Sequence, residues 1–161
     1  MVEASRRWTP AEIWQGLRRT FDSPWDVPLC LRIGWFVWRL PASMERRPLP
    51  EVLAGIRQPM GDAGEAIDGQ VGRIGRLRQA WLNLPSLAAR NTCYVRAITL
   101  YRFLRPDRGT LRIHFGVEPG VSPDDRVRGH AWVTHEGDLL EPPEPVVAGR
   151  VREIYVFPEA D

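Results

Sequence analysis

Residues 91–117 read NTCYVRAITLYRFLRPDRGTLRIHFGV, and the hydrophobic period changes within them at Pro106. Before that proline, Cys93, Ala97, Leu100 and Leu104 recur at helical spacing and share one face. After it, Leu111, Ile113, Phe115 and Val117 alternate with Arg112, His114, Gly116 and Glu118, the period-two pattern of a half-buried strand. The chain passes here from helical to extended patterning, and its fold class follows from what lies on either side.

Towards the C-terminus the extended pattern continues. Residues 129–135 predict a second strand, a third short one follows the Glu136-Gly137 turn, and residues 150–157 predict a fourth after the proline-rich stretch 142–145. Towards the N-terminus, residues 9–104 read mainly as helix. Thr9 caps a first segment with Pro10 at its first position and Glu12 at the capping-box position, predicting a helix to Thr20. Turn signals at 22–26 and 41–50 separate further helices, and the Gly-rich piece 61–75 predicts a loose connection. Helices first and antiparallel strands afterwards indicate an α+β fold. We expect a helical N-terminal region over 1–75 and a core over 76–161, forming one structural unit, because 161 residues support one sizeable core.

Composition narrows the chemistry. All 22 basic residues are Arg, so a phosphate-binding loop ending in Gly-Lys-Ser/Thr, a lysine Schiff base and a lysine general base are excluded. The net charge is only +2 with arginines interspersed among acids, which argues against a nucleic-acid groove. Two distant cysteines, Cys30 and Cys93, and no secretory pattern at the start lead us to expect a reducing, cytoplasmic location. The longest apolar stretch, residues 28–40, contains Arg32 and is shorter than the ~20 residues that span a bilayer, so no transmembrane segment is expected. Its Trp35, Phe36 and Trp38 suit an amphipathic helix packed on a neighbour or a partner.

Cys93 follows Asn91 and Thr92, both good N-cap residues, and so stands at a predicted helix N-terminus. The first-turn amides and the positive end of the helix dipole favour thiolate over thiol there, and the same amides can hold an oxyanion. Taken alone, such a cysteine is a small buried hydrophobe. The segment Gly129-His130-Ala131-Trp132-Val133 adds a histidine at the start of a strand, and a cysteine at a helix start with a later strand histidine is what a thiolate–imidazolium pair requires. A two-residue loop at Glu136-Gly137 would set Thr134 opposite Leu139 and Trp132 opposite Glu141, with Asp138 opposite His135. Glu141 is then diagonal to His130 and is preferred to Asp138 as the orienting acid. His114 and His135 are assigned structural places. A zinc site from Cys93, His114, His130 and His135 lacks any close ligand pair, so neither metal nor cofactor is expected.

These pieces together resemble the transglutaminase-like, papain-related leader peptidase of lasso-peptide biosynthesis. The resemblance is carried by Cys93-Tyr94-Val95-Arg96-Ala97, Leu100 with Arg102-Phe103-Leu104, Ile113 with Gly116-Val117, His130-Ala131-Trp132-Val133, and Gly137 in that order. It implies a transglutaminase/papain-like core with Cys93 as nucleophile, His130 as base and an acid near Glu141. It also implies a precursor peptide as substrate, a small leader-recognition protein as partner and an ATP-dependent macrolactam synthetase in the same pathway. This chain departs from the family in having Glu instead of Asp as the acid, about one residue early, and Thr134 instead of Glu after His-Ala-Trp-Val. Acyl transfer to an amine and a non-catalytic peptide-binding module are the competing readings.

Overall fold

Among the described residues, nine helices and strands follow from the apolar pattern, with a short 3₁₀ turn besides. In this computed structural model residues 21–56, 66–106, 111–119 and 128–158 are described. Helix α1 (Asp26–Arg46) turns Cys30, Ile33, Val37 and Leu40 inward at spacings of three and four. Its start is anchored by Asp26, 1% exposed, whose carboxylate accepts from the Asp22 and Ser23 amides and pairs with Arg73 at 2.8 Å. Its outer face carries Leu31, Trp35 and Trp38 in solvent, the two indoles stacked at 5.3 Å.

Helices α2 (Leu49–Ala54) and α3 (Ile67–Leu82) follow, then the 3₁₀ turn Ala88–Arg90 and helix α4 (Cys93–Phe103). Strands β1 (Leu111–Glu118), β2 (Arg128–His135) and β3 (Asp138–Leu140) come next, then the short helix α5 (Glu144–Val147) and strand β4 (Arg152–Phe157). The sheet is antiparallel in the order β3-β2-β1-β4. Helix α4 lies on its face, so Val95, Ala97 and Ile98 share one buried cluster with Ile113, Phe115, Ala131 and Val133. That cluster also takes in Ile33 and Val37 of α1 and Ile74 and Leu77 of α3.

Several expectations change. The helix predicted over 9–20 lies outside the described residues. Helix α1 does not stop at Pro41 but runs through it to Arg46; Pro41 removes one ladder donor, and the buried residues Val37 and Leu40 hold the helix on the core across the gap. The latter part of the Gly-rich piece, with Gly69, Gly72 and Gly75, is helical in α3, and the division expected at 75/76 falls inside that helix. A Cβ on Gly75 would stand 2.5 Å from Glu141 Oε1, so that carboxylate fills the space beside the glycine. The hairpin register is the one a two-residue loop gives, with Thr134 opposite Leu139 and His135 opposite Asp138. Glu136 at φ 53° and Gly137 at φ 96° supply the two left-handed residues that such a turn demands.

Candidate active site

Thr92 is extended and its Oγ1 accepts from the Val95 amide at 3.3 Å, so α4 begins at Cys93 with a satisfied cap. The amides of Cys93 and Tyr94 belong to the first turn, where no intrahelical acceptor exists. The Cys93 thiol is partly exposed and donates weakly to the carbonyl oxygen of Gly129 at 3.5 Å. Gly129 must lack a side chain, because its Cβ would collide with the Tyr94 phenol. Burial raises the pKa of that phenol, with the neighbouring Cys93 adding to the effect.

This contact fixes the relation of Cys93 to His130. A carbonyl oxygen lies roughly 2.8 Å from the next Cα across a trans peptide, so Sγ is within roughly 6 Å of the His130 Cα. The imidazole itself is turned to the other face of β2 from Ala131 and Val133. Its Nε2 lies 3.4 Å from Glu118 Oε2, an ion-pair distance without hydrogen-bond alignment. Both ring nitrogens are buried and neither makes a hydrogen bond, so the resting structure holds no thiol–imidazole bond. Leaving such groups unsatisfied costs about 1–3 kcal/mol each, and buried orphans of this kind call for an explanation.

Glu118 is the residue that the sequence reasoning passed over. It lies on β1 two residues beyond Gly116, which stands opposite His130, so Glu118 and His130 are diagonal neighbours. Arg150 Nε donates to Glu118 Oε1 at 2.9 Å. That hydrogen bond, with the charges of Arg150 and His130, holds the Glu118 carboxyl below the usual range against a smaller opposing effect of burial. The signal that could have revealed it is the antiparallel pairing of β1 with β2.

Glu141 has a different neighbour. Strand β3 ends at Leu140, and Glu141 at φ 45° leaves the ladder before it can pair with Trp132. Its carboxylate accepts from Arg78 Nη2 at 2.7 Å, while Arg78 Nη1 donates to the Arg96 carbonyl at 3.0 Å. Arg78 is 1% exposed, and burial lowers its pKa while Glu141 pulls it back up. One guanidinium therefore ties α3, the first turn of α4 and the turn after β3 together. Cys93 and Glu141 line a common cavity of about 90 Å³ with Arg96, Ala97 and Pro142. Asp138 is exposed at the hairpin end opposite His135. His114 bonds Thr134 Oγ1 at 2.8 Å and Glu153 at 2.5 Å and stacks on Trp132, a full set of structural partners. Among the described residues no three His, Cys, Asp or Glu side chains converge as metal ligands, and no helix is long and apolar enough to cross a membrane.

A family model described as the transglutaminase-like superfamily matches residues 27–154. No curated protein and no solved structure matches the chain.

Proposed function

We propose that this chain, which belongs to the transglutaminase-like superfamily, is a cysteine peptidase that removes the leader from a ribosomally made precursor peptide, in the manner of lasso-peptide maturation. The superfamily supports cysteine peptidase or acyl-transfer chemistry, and the finer assignment rests on the lasso-peptidase resemblance of Cys93, His130 and their surroundings. The single observation that carries it is the contact of the Cys93 thiol, at the start of α4, with the carbonyl of the residue before His130.

Cys93 Sγ attacks the scissile carbonyl carbon, and the amides of the α4 first turn receive the oxyanion. As the C–N bond breaks, His130 gives its proton to the departing amine and leaves a thioester on Cys93. His130 then takes a proton from water, whose oxygen displaces the thiolate and yields a carboxylate product. The chain supplies nucleophile, base and oxyanion donors by itself. In this reading a change of His130 rotamer, in the free enzyme, brings the imidazole to the thiol.

The partners in this reading are the precursor peptide and a small leader-recognition protein in the cytoplasm, with a macrolactam synthetase consuming the product. The exposed Leu31, Trp35 and Trp38 face of α1 offers the apolar surface such a protein needs. Mass spectrometry of precursor peptide with wild type and Cys93→Ala, with and without the recognition protein, tests the proposal. Cleavage by wild type alone, with water in the product mass, is expected. A product carrying an amine would reassign the enzyme to acyl transfer, and cleavage by Cys93→Ala would end the proposal.

A further inference from the structure

Three independent features converge on one side of β2. His130 is partly buried, and both its ring nitrogens are buried with neither hydrogen-bonded, although Nε2 stands 3.4 Å from a carboxylate. That carboxylate, Glu118, is held from its other oxygen by Arg150 at 2.9 Å. The position opposite His130 is Gly116, two residues before Glu118 on β1, and a Cβ there would meet Val151 and the Arg152 carbonyl. The ladder fixes the backbone positions of these residues, because β1 and β2 pair without interruption from Leu111–His135 to Glu118–Arg128.

We infer that Glu118, held by Arg150, is the positioning residue for His130, accepting from Nε2–H and leaving Nδ1 as the nitrogen that meets the Cys93 thiol. The inference rests on the Cys93–His130 reading given above. A carboxylate at Nε2 selects the tautomer and favours the protonated ring, and a protonated ring beside sulfur favours thiolate. Arg150 keeps Glu118 ionised and fixes its rotamer, so the acid is in place before the substrate is. Glu141 does not share this role: its carboxylate is committed to Arg78 on the cavity side.

The test needs no substrate. Alkylation of Cys93 by iodoacetamide is followed at about pH 6 and about pH 9, with the adduct assigned to Cys93 or Cys30 by peptide mass, because only the thiolate reacts. The pH 6 to pH 9 rate ratio isolates thiolate sustained by the imidazolium from thiolate formed by simple ionisation. Wild type keeps a substantial rate at the lower pH, and His130→Ala loses it. Glu118→Gln lowers the ratio by about tenfold, the effect of removing one adjacent opposite charge, and Glu118→Asp restores part of it.

If His130→Ala lowers the ratio and Glu118→Gln does not, the positioning role is overturned while the Cys–His pair stands. If His130→Ala leaves the ratio unchanged, the pair itself fails, and the role of Glu118 with it. Should Glu118→Gln not fold, Arg150→Gln carries the same test: a lowered ratio supports the inference, and an unchanged one overturns it.

Discussion

Two arginine-bound carboxylates flank strand β2, and their arginines sit in opposite environments. On the cavity side Arg78 is 2% exposed in its side chain and Glu141 27%; on the His130 side Arg150 is 50% exposed and Glu118 19%. A guanidinium taken out of water must keep its partner, since removing one member of a buried pair strands the other. An exposed guanidinium loses little when its partner goes. The first pair is therefore a structural tie that orients the Cys93 helix, and the second stands beside an imidazole that it is free to orient. The two sites look alike as residue pairs, and burial separates their roles.

That contrast is open to direct attack. The largest effect is expected from Arg78→Met, which removes the Glu141 pair and the bond to the Arg96 carbonyl together. A loss of roughly 3 kcal/mol in urea unfolding is expected, at the low end for a buried pair because Glu141 is partly solvated. A loss below about 1 kcal/mol would erase the distinction between the two pairs. Glu141→Gln keeps an acceptor for Arg78 and removes only the charge, so about 1–2 kcal/mol is expected from the same measurement.

Arg150→Gln should have the smallest effect on stability and the most pH-dependent one. The folded state holds the Glu118 carboxyl below its ordinary range, mainly through Arg150. Stability from this source is present above the unfolded carboxylate range and is lost as pH falls through the lower folded value. The difference in melting temperature between wild type and Arg150→Gln is therefore expected at about pH 6 and should shrink as pH falls below the ordinary carboxylate range. A difference that persists in acid would mean that Arg150 acts through something other than the Glu118 charge.

Much of this was legible in the sequence, for reasons that are local. The Thr92 cap and the start of α4 at Cys93 follow from capping chemistry within four residues. The β2–β3 register follows from the Glu136-Gly137 turn, whose two positive φ values suit Gly and are tolerated by few other residues. The alternation of Leu111, Ile113 and Phe115 gave the core face of β1.

The misses share a non-local cause. Gly75 reads as a helix breaker, yet it sits inside α3, and Glu141, 66 positions away, occupies the space a side chain there would take. Pro41 reads as a stop, yet the core contacts of α1 carry the helix past it. Glu118 could be found only from the β1–β2 register, which the sequence of the connection between those strands does not fix. Glu141 was assigned by extending a strand for one residue too many, and its left-handed backbone ends the ladder at Leu140.

The chain has two cysteines, and they provide the most direct test of the central claim. Cys30 is buried in α1 with its thiol pKa raised by desolvation, whereas Cys93 is partly exposed at a helix start. The measurement is peptide mass mapping of the enzyme quenched in acid during turnover of its precursor. An acyl fragment of the precursor on the Cys93 peptide, absent from the Cys30 peptide and released by hydroxylamine, is the expected result. Cleavage that proceeds with no acyl mass on Cys93, and continues in Cys93→Ala, would contradict the account.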